Sequence, residues 1–259
     1  VGFVFGPMLG GLAGSYDIRA PFYLAAFLCF IGVIFGLFVL PESLKDSNRR
    51  AFSLRNANPF VSLKRAFLLP GLGAFLLAYT LIALSDFTYP AIWSYWGKET
   101  FSWSASTIGL TLTYYGIGTA IVQGGLIRLM IPLIGEPRTM IFGLCCATLS
   151  AFLFGLASQT WMVLAVIPLA CLSHVAQAAM TGMMTQQVSD SEQGELQGVI
   201  GSITAVASIG SPLVMTAIFF RMADPNGHYL PGAPFLVAGG LLVLASIPIR
   251  RALITRQGH

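Results

Sequence analysis

Charge is the scarcest property of this sequence. Of its 259 residues, 14 are Lys or Arg and 10 are Asp or Glu, 9% in all, against roughly a quarter in ordinary soluble domains. A chain so poor in charge cannot cover its own surface in water, which excludes the soluble classes. Cysteine is scarce too. Cys29, Cys145, Cys146 and Cys171 all fall inside apolar runs and form no CxxC pair; there free Cys acts as a small hydrophobe, so neither a disulfide framework nor a metal site is expected. A Gly-Lys-Ser/Thr phosphate loop and an HExxH pair are also missing. No nucleotide, metal or other cofactor is expected, and a polytopic membrane enzyme, which would need such a constellation or a second carboxylate beside a first, is the weaker alternative.

What the chain has in abundance is apolar length. Hydrophobic residues make up 56% of it and the mean hydropathy is +0.78. Crossing a hydrocarbon core takes about 20 apolar residues as a helix, and such windows recur throughout. They are long and unbroken, unlike the short alternating strands of a barrel. One partial and seven complete spans are predicted: 1–14, 21–40, 68–93, 108–131, 140–157, 161–185, 199–220 and 234–249. The fold class is therefore all-α, a polytopic transmembrane helical bundle of about eight helices. The sequence opens inside an apolar run with no initiator Met, so the first helix is expected to be partial. Residues 41–67, "PESLKDSNRRAFSLRNANPFVSLKRAF", are the one long polar insertion and divide 1–40 from a second bundle over 68–259.

Basic residues sort the connections. Lys45, Arg49, Arg50, Arg55, Lys64, Arg65, Arg128, Arg138, Arg250, Arg251 and Arg256 fall on one side of alternating spans, and Arg19, Lys98 and Arg221 on the other. Eleven against three is a positive-inside asymmetry that puts the 41–67 loop and the C-terminus in the cytoplasm. It also accounts for the pI of about 9.0 without any nucleic-acid partner.

Against this background the few polar residues inside spans stand out. An ionised carboxylate mid-span costs about 2.5–3.5 kcal/mol on insertion scales, yet "LIALSDFTYPAIW" holds Asp86. Helical spacing puts Tyr79, Asp86, Tyr89 and Trp93 on one face, a surface suited to a planar, amphipathic or cationic ligand. The competing reading is an aspartate satisfied by Ser85 or Thr88, or wetted near the outer surface. Ser173, His174, Gln177 and Thr181 recur at steps of one to four along another span, and Gln123 is the lone amide of a third. In lipid such groups pair between helices or line a cavity, and His174 titrates near neutral pH. Trp93, Tyr95, Trp96 and Trp103 are expected in the outer interfacial belt, Met180, Met183 and Met184 in packing. Ser189 and Glu192 have capping-box spacing.

"GFVFGPMLGG" places Gly2, Gly6 and Gly10 four residues apart, beside Pro7 and Gly11. This lets a second backbone approach closely. The pattern resembles the fifth-helix antiporter signature of drug/proton antiporters of the major facilitator superfamily. "LPES" (40–43), "EQGELQG" (192–198), "SIGSPLV" (208–214), "YPAIWSYW" (89–96), "FSW" (101–103) and "VQGGLIR" (122–128) are similar to its tetracycline-resistance branch. The resemblance covers essentially the whole chain and implies a major facilitator fold lacking its N-terminal helices, with this chain as helices five to twelve. It further implies a multi-pass protein of a bacterial-type inner membrane, exporting a small amphipathic drug in exchange for protons by alternating access. Its partners would be drug, protons, lipid and the missing N-terminal helices. A non-transporting remnant is the alternative. Within "GEPR" and "EQGELQG", Glu136, Arg138, Gln193 and Gly194 would form a cytoplasmic gate. Two positions depart from the branch: its ninth-helix acid falls at Ala147, and its eighth-helix histidine at Thr119. The substrate is thereby left open, and Asp86 becomes the candidate proton carrier.

Overall fold

The computed structural model describes residues 17, 19–39, 67, 72–224 and 229–257. The antiporter signature at Gly2, Gly6, Pro7, Gly10 and Gly11 and the basic loop at 41–66 lie outside them. The chain divides into two compact units, Val1–Arg50 and Ala51–His259. In the first, one helix is described, α1 (Ala20–Val39), whose 20 residues contain no charge.

The second unit is built from α2 (Leu72–Asp86), α3 (Thr88–Phe101), α4 (Ala105–Ile121), a π-helical turn (Val122–Leu126), α5 (Ile127–Ile134), α6 (Glu136–Leu156), α7 (Thr160–Leu172), α8 (His174–Thr185), α9 (Gln193–Met222) and α10 (Ala233–Gln257). No strand occurs among the described residues. Grouped by length and apolarity these make seven membrane-capable helices: Ala20–Val39, Leu72–Phe101, Ser106–Ile134, Glu136–Leu156, Thr160–Thr185, Asp190–Met222 and Ala233–Leu253. Each predicted complete span is present. Most run longer than expected, because the interfacial ends carry polar residues that an apolar window leaves out.

The expectation of unbroken helices needs correction in three places. The 72–101 span breaks at Phe87. Pro90 has no N–H for the Asp86 carbonyl and its ring crowds that carbonyl, so the helix cannot continue regularly through this turn. Two hydroxyls take up the carbonyl of Leu84 beside the break: Thr88 Oγ1 at 3.4 Å and, from α9, Ser211 Oγ at 2.7 Å. The 106–134 span widens into the π-helical turn over "VQGGL", where Gly124 and Gly125 offer little resistance to the extra residue per turn. The 160–185 span breaks at Ser173, whose hydroxyl donates to the Ala170 carbonyl at 2.6 Å and competes with the helix's own ladder.

In lipid, helices associate by packing more than by the hydrophobic effect, and two clusters do this work. One holds Phe75, Leu76, Tyr79, Met140, Met180, Met183, Met184, Val199 and Leu242; Met180, Met183 and Met184 are fully buried, as packing residues should be. The other is aromatic. Trp96 and Phe235 pack edge to face with centroids 4.7 Å apart, Trp93 and Phe154 at 5.4 Å and 90°, and Phe101 stacks on Trp103 at 5.1 Å. Each such pair adds about 0.5–1.5 kcal/mol. The interfacial belt is therefore misplaced for three of its four members: Trp93, Trp96 and Trp103 are buried, and Tyr95 alone is exposed. For Trp93 and Trp103, Thr111 and Thr160 explain the difference, because their hydroxyls accept from the two indoles at 3.0 and 2.9 Å; Trp96 is buried by its aromatic neighbours Phe235 and Phe101. With a protein partner for the N–H, the ring has no need of the interface.

Close approach fixes the α6–α8 pair. A Cβ on Gly143 would lie 2.5 Å from the backbone nitrogen of Ala176. Gly143→Leu is therefore expected to force these helices apart at a cost of about 1–3 kcal/mol, read as a lowered midpoint of thermal unfolding in detergent. An unchanged midpoint would contradict this packing.

Candidate functional site

The three interruptions hold candidate polar residues. Asp86 is the last residue of α2, Gln123 lies in the π-helical turn, and His174 opens α8. Asp86 is the fifteenth residue of the 30-residue span Leu72–Phe101, and His174 the fifteenth of the 26-residue span Thr160–Thr185. Both thus stand near the middle of their spans. On its own span Asp86 sits between the two clusters: the last fully buried member of the first is Ala83, and the first of the second is Ile92.

Asp86 is half-buried and makes no hydrogen bond or ion pair among the described residues. Neither partner named by the competing reading holds it. The buried Ser85 hydroxyl has no partner, and Thr88 donates to the Leu84 carbonyl instead. Tyr89, three residues after Asp86, packs against Phe154 and Phe235, with centroids at 5.9 and 5.3 Å.

The row Tyr79, Asp86, Tyr89 and Trp93 is interrupted at Phe87, and its two ends have partners of their own. Tyr79 is buried, its hydroxyl accepting from Gln177 Nε2 at 3.2 Å and lying 3.2 Å from Thr204 Oγ1. It joins α2, α8 and α9. Trp93 belongs to the aromatic cluster.

The second polar set converges. Gln123, His174, Gln177 and Thr181 line one cavity of about 790 Å³, with Arg128, Thr185 and Gln186 also on its wall. That volume is in the range of small-molecule sites. The cavity runs from His174 to the end of α8 at Gln186. His174 is held from α4 by Tyr115: the phenol oxygen is 2.6 Å from His174 Nε2, with the two rings 5.9 Å apart.

The predicted gate residues gather at the Gln186 end. Glu136 starts α6, where its charge suits the helix N-terminus, and its Oε1 accepts from Gln186 Nε2 at 3.0 Å. The same oxygen would sit 3.1 Å from a Cβ on Gly182, so glycine there makes room for the carboxylate. Gln193 Nε2 donates to the Thr185 carbonyl at 3.4 Å, joining α8 to α9. Arg138 and Gly194 are exposed. The capping box forms as spaced: the Ser189 N–H and hydroxyl reach Glu192 Oε2 at 3.2 and 2.8 Å. Thr119 and Ala147, the positions that depart from the tetracycline-resistance pattern, are occupied otherwise. The Thr119 hydroxyl points at Cys171 Sγ, 3.8 Å away, and Ala147 packs beside the first cluster.

A multi-pass helical membrane protein whose spans break around an intramembrane carboxylate and a polar cavity is the class that fold and site define. The chain belongs to the Major Facilitator Superfamily, whose sequence profile matches residues 75–258. Among its curated relatives are tetracycline resistance protein class C of Escherichia coli, 31% identical over 256 residues, and class G of Vibrio anguillarum, 31% identical over 250. These alignments take in 99% and 96% of this chain but 63% and 62% of the relatives. The chain thus spans somewhat under two thirds of their length. Multidrug resistance protein 2 of Bacillus subtilis is 26% identical, over 94% of this chain and 59% of its own. The crystal structure of the human organic anion transporter MFSD10 superposes with a TM-score of 0.78 at 21% identity, covering 96% of this chain and 60% of that one. That neighbour speaks to the fold alone. The resemblance to the tetracycline-resistance branch, first drawn from short motifs, holds along the whole sequence.

Proposed function

We propose that the protein to which this chain belongs is a secondary active exporter that moves a small amphipathic drug, tetracycline-like or related, outward in exchange for protons. The observation that carries this reading is that three spans are interrupted where they bear Asp86, Gln123 and His174, the last two on the wall of one polar cavity. Discontinuous helices are a recurrent way to present polar groups to a substrate inside a membrane. The names of the bacterial relatives supply the drug class.

In this reading Asp86 is the proton carrier. A carboxylate held by no hydrogen bond is free to exchange a proton for a cationic or dipolar ligand. Tyr89 and the cavity residues Gln123, Gln177 and Thr181 supply hydrogen bonds and ring surface to the drug, while Tyr79 and Trp93 act behind them as packing. The two helical bundles of the whole protein, joined through the basic 41–67 loop, alternate between inward and outward access. The Glu136–Gln186 contact, with Arg138, Gln193 and Gly194 nearby, serves as the cytoplasmic gate. No enzymatic step is involved.

The test is transport by the whole protein, as produced from its gene, in sealed vesicles with an imposed pH gradient and tetracycline as probe. Drug should accumulate against its gradient and be released when a proton ionophore collapses the pH difference. Absence of gradient-driven movement at normal expression would favour the non-transporting remnant.

A further inference from the structure

We propose that the cavity holds its ligand by an oxyanion, a carboxylate or ionised enol set against Arg128 and Gln123, a role that rests on the reading of the cavity as the drug site given above. Arg128 is the one charged residue of the span Ser106–Ile134. It lies on the cavity wall, and among the described residues no Asp or Glu lies there with it. A guanidinium only donates, through five N–H groups in a planar fork, and nothing on this wall carries the negative charge that would answer it. The ligand has to bring it.

The π-helical turn puts the cation there. In a regular α-helix residues five apart point about 140° away from each other, so Gln123 and Arg128 would face different surroundings. A π turn instead bonds each carbonyl to the N–H five residues on, which stacks such residues on one face. The turn spans Val122–Leu126, and Gln123 and Arg128 both line the cavity. A Cβ on Gly124 or Gly125 would meet nothing within 4 Å among the described residues. Close packing within this unit therefore does not call for glycine at either position, and what the pair supplies is the backbone freedom that the widened turn uses.

The other long polar side chains on the wall are already engaged. Gln177 Nε2 donates to the Tyr79 hydroxyl at 3.2 Å, Gln186 Nε2 donates to Glu136 Oε1 at 3.0 Å, and His174 Nε2 is paired with the Tyr115 hydroxyl at 2.6 Å. Glu136, the carboxylate at the Gln186 end, is thus held from outside the wall. Gln123 and Arg128 have no hydrogen bond or ion pair among the described residues. An amide N–H and a guanidinium on one wall fit the two oxygens of a planar acidic group. A ligand whose only charge is positive finds no partner here and is repelled by Arg128. Snorkelling toward lipid headgroups is the other use of an arginine near a span end, and it would leave ligand affinity untouched.

The experiment measures equilibrium binding of tetracycline, which carries an ionised enol and a protonated amine at neutral pH, to the purified whole protein in detergent at low and at high salt. Arg128→Gln is expected to weaken binding about tenfold at low salt, the scale of one hydrogen bond to a charged group. Arg128→Lys keeps the charge and loses the fork, and should bind within about threefold of the original. Affinity of the original protein should fall between about 10 mM and about 1 M salt, where screening becomes short-ranged, and that of Arg128→Gln should stay flat. Low-salt affinity in Arg128→Gln within about twofold of the original would overturn the proposal, as would equal salt dependence in the two proteins. Should Arg128→Gln fail to fold, the original protein decides, because affinity that does not fall with salt would overturn the contact. Ala178→Trp, which fills the same cavity, separates this contact from the reading beneath it. If Ala178→Trp weakens binding and Arg128→Gln does not, the drug site stands and the oxyanion contact falls. If Ala178→Trp leaves binding unchanged, the drug lies elsewhere and both fall.

Discussion

Asp86→Asn in the whole protein is expected to cut proton-driven export about a hundredfold while leaving insertion and folding intact. Asparagine keeps the shape and cannot carry a charge or take up a proton, so it tests titration apart from packing. Asp86 makes no hydrogen bond among the described residues, so the substitution breaks none of the contacts that hold α2 to α9. Those run through Ser211 and the Leu84 carbonyl and through Tyr79 and Thr204. A neutral amide is also cheaper in the membrane than a carboxylate, whose insertion costs about 2.5–3.5 kcal/mol when ionised. Expression and thermal midpoint should match or exceed those of the original protein. Driven transport should fall by about a hundredfold, the usual scale for loss of a placed acid–base group, and drug exchange should persist. Driven transport within twofold of the original would remove Asp86 from the mechanism.

The second large effect is steric. Ala178 lies on the cavity wall between Gln177 and the turn of Thr181 and Gly182. Ala178→Trp places an indole in the space that the proposal gives to the drug, and should weaken binding by about 2.8 kcal/mol, a hundredfold in Kd. Equilibrium binding of tetracycline to the purified whole protein, followed by intrinsic fluorescence with this tryptophan as a control, reads the change directly. Unaltered affinity in a folded variant would place the drug site outside this cavity.

How much of this was legible in the sequence differs by kind of residue. The spans were plain, because scarcity of charge and apolar length are direct consequences of a lipid solvent. The cavity row was legible too: Gln123, His174, Gln177 and Thr181 are polar residues among apolar ones, and three of them recur at helical spacing. Tyr115 was not, since tyrosine is common in spans and a helix apolar on every face gives no register to say where a ring points. Trp93 and Trp103 were misread for a related reason. An indole belongs at an interface only if its N–H lacks a partner, and Thr111 and Thr160 lie 18 and 57 residues from the rings they serve. The break at Phe87 had a signal in Pro90, four residues after Asp86; the break at Ser173 and the π-helical turn had weaker ones in a serine and a glycine pair.

The account turns on one exchange, a proton on Asp86 given up for a bound drug. It is tested most directly by measuring protons released when tetracycline binds the purified whole protein in weakly buffered detergent solution, with a pH-indicating dye. The account predicts release of about one proton per bound drug in the original protein and none in Asp86→Asn. Equal release from both, or none from either, would contradict it.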